Sequence, residues 1–555
     1  MKKYVLHSVI LGLLVSHIAT AQQLLSWEYK DSYSVEDMES VAASFGIPVG
    51  LLGFAYEVDV YNITYETPNA TDTGTTLASG AVAVPKNYVC AVPLASYQHG
   101  TVAHKNDVPS RNSSELYIGM FFASNGFVVS MPDYLGLGDS PGLHPYVHAH
   151  SEATASANML FAVKELLQTI NASINDQLFL FGYSQGGHAT MALHKYLQEN
   201  YSEELPVTAA APMSGPYDIS GAQTQYLTAD VAYATPGYLP YVVLAYQSVY
   251  GNLFTNPSDI FVAPYDELLP PLFDGTHSMG YINDQCPSVP KEMVVPEVLA
   301  AFENEPNHPL RVALRDNDIY EWIPDAPVKM CYCLADDQVS YQNTDVAYEY
   351  MTTHGATAIE KVNLGNLTHS GCFLPSMLVG KDLFTNLREW NDGMQLSFAV
   401  IDATFGENDG VVGLTISGGE APYTVLWSDG STTTNLENIA EGMYDVTVTD
   451  NAGCSISRSV EVGLYTGIAS INTPLAVSLF PNPTSEYLHF SLDETIVASQ
   501  KCFVQLVNTK GEIVKTAVLA ANNPRISVEN LPKGVYLVKV FTHKNAFAVE
   551  KVLVE

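Results

Sequence analysis

Basic residues are scarce in this chain of 555 residues: Lys and Arg number 24 against 59 Asp and Glu, a formal net charge of −35 at pH 7. A surface this acidic repels phosphate backbones and anionic membranes, which argues against a nucleic-acid partner. Cysteine is scarce too, with seven in all, at 90, 286, 331, 333, 372, 454 and 502. That density does not make a disulfide scaffold. Cys331-x-Cys333 is tighter than the C-x-x-C of a metal knuckle. An odd count leaves at least one thiol unpaired, and Cys286, Cys331, Cys333 and Cys372 could furnish one or two bridges. Long apolar runs are absent except at the start. There Lys2 and Lys3 precede an apolar stretch, Val5 to Ile18, and Ala19-Thr-Ala21 follows. A basic start, a short apolar core and a small-x-small end read as a secretory leader cut after Ala21. No other segment is long enough to cross a membrane.

Other features point to a large folded protein. Hydrophobic residues make up 47% and charged residues 15%, so an extensive core is available and wholesale disorder is excluded. Charge divides the chain into three parts. Residues 1–390 carry 15 basic and 41 acidic residues, 391–465 carry one and 11, and 466–555 carry eight and seven. The corresponding expectation is a leader at 1–21, a large domain at 22–390, a β-module at 391–465 and a terminal β-domain at 466–555.

The first part alternates strand and helix signals. Val92 to Tyr97, Gly126 to Met131 and Gln177 to Phe181 read as buried strands, and Glu152 to Ile170 and Gly187 to Asn200 as helices. This rhythm predicts an α/β fold, a mostly parallel sheet with helices on both faces. Between about 216 and 325 the rhythm stops, and ten of the 33 tyrosines fall there. A long aromatic insertion between core strands reads as a cap over the site. The last two parts show short alternating strands, such as Tyr423 to Trp427 and Tyr444 to Val448, and predict all-β sandwiches.

The stretch Gly182-Tyr-Ser184-Gln185-Gly186-Gly187-His188 carries the chemistry. A strand runs into G-x-S-x-G and a helix leaves it, the context of a nucleophile elbow. Ser184 is the candidate nucleophile. The Gln185 N–H, at the helix start, is a candidate oxyanion donor. The partners of such a serine follow in the order acid, then histidine. Val328 to Leu334 reads as a late strand ending in Ala335-Asp336-Asp337, so Asp336 is the candidate acid and Asp337 the alternative. His369, 33 residues later in Asn366-Leu-Thr-His369, follows the next strand, Ile359 to Leu364, and is the candidate base. His354 precedes that strand and is on the wrong side. The second oxyanion donor is sought after the strand Ala91 to Tyr97, in Gln98-His-Gly-Thr101, with Thr101 N–H or Gly100 N–H in the role. His99 precedes the serine and does not suit the base. Gly136-x-Gly138 lacks the rest of a phosphate loop. No metal and no organic cofactor are required by this chemistry.

These motifs give the first part its resemblance. Ser96-Tyr97-Gln98, Gly182-Tyr-Ser-Gln-Gly-Gly-His-Ala-Thr190, Asp336-Asp-Gln-Val-Ser-Tyr-Gln342 and His369 make residues 50–390 resemble an α/β-hydrolase, more narrowly the secretory lipases of the fungal lipase A type. That resemblance implies ester or lipid hydrolysis, with Ser184, Asp336 and His369 as the triad. Ile416 to Gly430 and Gly442 to Cys454 resemble one copy of a gliding-adhesin repeat. Phe480-Pro-Asn-Pro483, Asn508-Thr-Lys-Gly511 and Leu531 to Val538 resemble the C-terminal sorting domain of type IX secretion. That implies the type IX machinery as a partner, and a secreted or cell-surface destination. Two other readings share the same residues: a serine peptidase or polysaccharide acyl esterase, and a surface-binding protein with an inert hydrolase domain.

Overall fold

The structure is a computed structural model describing residues 23–390, 394–404, 407–465, 473–474, 477–492, 502–510, 513–519, 524–542 and 546–555. The leader expected at 1–21, and Gly511 of the sorting-domain motif, lie outside the described residues. The chain divides into two compact units. The first is Met1–Leu396 with Ile416–Val425 and Thr447–Ser457, and the second is Ser397–Thr415, Leu426–Val446 and Arg458–Glu555. The strands of the segment expected as one β-module at 391–465 are shared between the two.

The first unit is built on a sheet of nine strands: β1 (Leu24–Tyr33), β2 (Val58–Pro68), β3 (Thr75–Pro85), β4 (Val92–Gln98), β5 (Val128–Pro132), β6 (Ile174–Tyr183), β7 (Val207–Met213), β8 (Val328–Tyr332) and β9 (Ile359–Asn363). Their order is β1-β2-β3-β5-β4-β6-β7-β8-β9. The first three strands pair antiparallel, and β3 meets β5 antiparallel. From β5 to β9 all pairs are parallel. Parallel strands are covered on both faces, which explains why every residue of β4 and β5 is buried.

Two cores fill the two faces. One packs the helices Ala149–Thr169 and Gln185–Asn200 against the sheet, with Leu160, Leu193 and Met330 at its heart. The other packs Ser114–Ser124 and His369–Leu387, with Phe122, Phe181 and Phe384 in mutual ring contact. The chain leaves β4 for β5 on one side, and its other neighbour is β6. Such a switch point opens a crevice at the carboxyl ends of these strands, where ligands seat in open α/β sheets.

The insertion between β7 and β8 forms a third core around Tyr241, Tyr246, Phe261 and Met293. It is made of short helices, the longest being Tyr238–Tyr250. Two of its tyrosines bury their rings and spend their hydroxyls on backbone carbonyls: Tyr241 donates to Val102 O at 2.9 Å and Tyr246 to Val147 O at 3.0 Å.

The regular elements among the described residues beyond 394 are strands. Gln395–Ile401, Gly410–Ser417 and Asn435–Ile439 form one three-stranded sheet, and Thr424–Trp427, Gly442–Thr449 and Ser455–Val462 another. The last segment folds as a five-stranded and a three-stranded sheet over a core of Leu488, Val504, Val538 and Val552. Among the described residues no helix is long and apolar enough to cross a membrane.

Candidate active site

The site is built where β6 ends. Ser184 caps the helix Gln185–Asn200 with φ 62° and ψ −123°, a conformation that costs a side-chain-bearing residue of order 1–3 kcal/mol. The surroundings hold it there. Its N–H donates to Met213 O at 3.0 Å, and its carbonyl accepts from Gly187 N–H at 2.9 Å and His188 N–H at 3.2 Å. A Cβ on Gly182 or Gly186 would collide with the carbonyl of Gln98 on the neighbouring strand, so glycine is what lets helix and sheet close around the turn.

Asp336 follows β8 and is 5% exposed. Its carboxylate accepts from Gln338 N–H at 3.0 Å and Val339 N–H at 2.8 Å, which fixes the plane of the group. His369 Nδ1 lies 2.9 Å and 2.8 Å from its two oxygens. Asp337 does something different: its Oδ1 accepts the backbone N–H of His369 at 3.1 Å. The two neighbouring carboxylates thus hold one histidine at two points, ring and backbone. His369 itself is the first residue of the helix His369–Leu387, capped by Thr368, rather than a member of a loop. Tyr183 donates its hydroxyl to His369 O at 2.6 Å, a further restraint on that helix start.

A disulfide brackets the pair. Cys333 and Cys372 are bonded, three residues before Asp336 and three after His369. A second bridge, Cys90–Cys454, joins residues 364 apart. Cys286, Cys331 and Cys502 are free. The expected set of four cysteines therefore furnishes one bridge, and the other draws on two residues whose sequence neighbourhoods hold no hint of each other.

Ser184, His369 and Thr101 line one cavity of about 830 Å³. Among the described residues no hydrogen bond joins the Ser184 hydroxyl to the His369 ring, and such contacts often tighten only when substrate is bound. Neither Gln185 N–H nor Thr101 N–H makes an internal hydrogen bond among the described residues, so both donors are free. The Thr101 hydroxyl is held against Tyr146 Oη at 3.0 Å. His99 is buried beneath this loop, facing the carbonyls of Gly100 and Asp133 and packed 4.3 Å from the Tyr134 ring. His354 is exposed, at the end of the helix Gln342–Thr353. The Gly136-x-Gly138 loop follows Asp133, whose carboxylate accepts from Ser79 and Ser110, a packing arrangement. Among the described residues no group of three or more His, Cys, Asp or Glu is arranged to hold a metal.

Most of the cavity wall is apolar, and part of it was not evident from the sequence. Met38, Val41 and Ala42 come from the helix Val35–Ser44, which leads from β1, and Phe45 is the residue that caps its C-terminal end. Its start is a capping box: Asp37 N–H donates to Ser34 Oγ, and Ser34 N–H to Asp37 Oδ2. The spacing Ser34-x-x-Asp37 signals a helix start, though nothing local says that the helix reaches the site. Glu115 also lines the wall and accepts the Tyr97 hydroxyl at 2.6 Å.

A buried network lies behind the elbow. Glu152 accepts from Gln185 Nε2 at 2.8 Å and faces His188 Nδ1 at 2.7 Å. Gln185 Nε2 also donates to His144 Nε2 at 2.8 Å, and His144 Nδ1 donates to Leu135 O at 2.8 Å. Burial pushes the His144 pKa down to about 3, so its ring is neutral, as an acceptor at Nε2 requires.

Comparison with known proteins adds to this geometry. The secretory lipase family model matches residues 113–252, and that of the secretion system C-terminal sorting domain matches 478–555. A crystal structure of a protein of Legionella pneumophila described as a hydrolase is 31% identical, covering 66% of this chain and 98% of that one, with a TM-score of 0.62. The rice cell wall degrading esterase LipA of Xanthomonas oryzae is 27% identical over 66% of this chain and 98% of its own, with a TM-score of 0.60. No curated protein matches the chain.

Proposed function

The chain belongs to the secretory lipase family and is a secreted or cell-surface ester hydrolase with a type IX sorting domain, and from that premise we propose that it works through a Ser184–His369–Asp336 triad and an acyl-enzyme. The observation that supports this most is the carboxylate of Asp336 against His369 Nδ1, on the wall of the cavity that Ser184 opens onto.

Ser184 Oγ attacks the ester carbonyl while His369 Nε2 takes the hydroxyl proton. Asp336 keeps the proton on Nδ1 and stabilises the imidazolium. The carbonyl oxygen becomes an oxyanion held by the N–H groups of Gln185 and Thr101. The tetrahedral intermediate collapses, the C–O bond breaks, and the ring proton goes to the leaving alkoxide. Water then repeats the cycle on the acyl-serine, releasing the acid and restoring the hydroxyl. The leader at 1–21 and the terminal domain at 466–555 serve export, and the free enzyme consists of the parts between them.

A fluorophosphonate probe tests this directly, since it labels an activated serine. We expect Ser184 to be labelled. Ser184→Ala should abolish labelling and lower kcat by at least about 10⁴-fold. Full ester hydrolysis by that variant would overturn the assignment. A second reading, acyl esters on plant cell-wall polysaccharide, is favoured by the Xanthomonas esterase. Acetylated glycans assayed beside triglycerides separate the two.

A further inference from the structure

Ser184 opens onto two spaces of unequal size. The first is the cavity of about 830 Å³, which His369 also lines. The second holds about 40 Å³ between the elbow and the cap, bounded by Gln185, Ile219, Gln223, Val242, Leu314 and Val339. His369 does not line it. In the mechanism above, on which this inference rests, the ring proton passes to the leaving alcohol oxygen. The alcohol must therefore lie on the His369 side, and the acyl chain points away from it. We propose that the small space is the acyl subsite and the large one the alcohol subsite, so that the substrates are short-acyl esters, acetyl foremost, of bulky apolar alcohols.

The size of the small space matches a short group. One water-sized group needs roughly 10–15 Å³ on this measure, so the space admits about three non-hydrogen atoms. Its walls are also fixed. Gln185 is held by Glu152 and His144, each at 2.8 Å. Gln223 donates to Gln338 O at 2.9 Å and accepts from Asn343 Nδ2 at 3.0 Å and Ser340 N–H at 3.2 Å. Opening the space breaks buried hydrogen bonds, and a longer chain overpacks Ile219, Val242 and Leu314. The large cavity imposes no such limit, and its wall is mostly apolar.

The test uses the full chain and two substrate series. With p-nitrophenol as the fixed alcohol, acetate, butyrate, octanoate and palmitate vary the acyl group. With acetate as the fixed acyl group, methyl and hexyl acetates vary the alcohol. We expect kcat/KM to fall at least about tenfold from acetate to octanoate, and to rise about tenfold from methyl to hexyl acetate. Val242→Ala and Leu314→Ala, which widen the small space, should raise the octanoate-to-acetate ratio about tenfold. A kcat/KM that is flat or rises with acyl length overturns the proposal. So does an acetate preference that neither variant alters. In all these outcomes fluorophosphonate still labels Ser184. If no ester is cleaved and Ser184 is not labelled, the triad reading itself fails.

Discussion

The two walls that meet at Ser184 are made by different means. Behind the elbow, Gln185, Glu152, His144 and His188 are buried and joined by hydrogen bonds. Beside them the cap is tied to the acid loop, with Tyr238 donating to Gln338 Oε1 at 3.0 Å and Tyr233 to Gln338 O. The opposite wall is a ten-residue helix, Val35–Ser44, presenting Met38 and Val41, with Phe45 at its C-terminal cap. Phe45 is 59% exposed and packs by apolar contact alone, 6.5 Å from the Tyr117 ring. Directional bonds fix positions, while apolar contact fixes only proximity. The first wall therefore sets geometry for the proposed chemistry, and the second sets volume for the substrate.

That contrast is open to graded tests. The largest effect should come from the Cys333–Cys372 bridge, which clamps the loop of Asp336 to the helix of His369. Replacing both cysteines with alanine should cost about 4 kcal/mol, from the loop entropy the bridge removes. Thermal denaturation and kcat measured together should fall together; a lower Tm with unchanged kcat would separate the clamp from the chemistry. Next comes Glu152→Ala, which leaves His188 Nδ1 without a partner and Gln185 Nε2 with His144 alone. It should cost about 3 kcal/mol and lower kcat more than it raises KM.

Acid provides a third test of the hydrogen-bonded wall. The folded-state pKa of His144 is depressed to about 3 by burial, below its unfolded value of about 6.5. Its contribution is therefore complete above the unfolded value and is lost as pH falls towards the folded one. Between about pH 6.5 and 5 that loss is about 2 kcal/mol. His144→Gln, which can still donate to Leu135 and accept from Gln185, should flatten this part of a Tm-against-pH curve. An equally steep curve in the variant would exclude His144 as the cause. The smallest effect is expected on the apolar wall. Phe45→Ala should change stability by under about 0.5 kcal/mol while raising KM for esters of bulky alcohols. If it destabilises the protein as much as Glu152→Ala does, the contrast between the walls is wrong.

Much of this protein is written locally in its sequence. The elbow is legible because the sharp turn after β6 demands small residues within four positions of the serine, and Gly182 and Gly186 are those residues. The alternation of strand and helix signals carries the parallel sheet, since each strand must be buried on both faces. The order of serine, acid and histidine follows from that topology, and it pointed to His369 and to the pair Asp336 and Asp337, of which Asp336 lies against the His369 ring. The change in charge and pattern near 390 falls where strands take over among the described residues.

Other features depend on contacts between residues far apart in the chain. Asp336 and Asp337 are chemically alike, and only the packed loop sends one carboxylate to the ring and the other to the backbone of His369. Cys90 meets Cys454 across 364 residues, and no spacing rule encodes such a distance. The helix Val35–Ser44 reads locally as a capped helix, yet its part in the cavity depends on where β1 leaves the sheet. The tyrosines of the insertion signal burial without saying which carbonyls they reach. Local propensity and hydrophobic period act within a few residues of each position, so they determine elements and motifs. Which elements meet, and which of two like side chains takes each role, is decided only when the cores close.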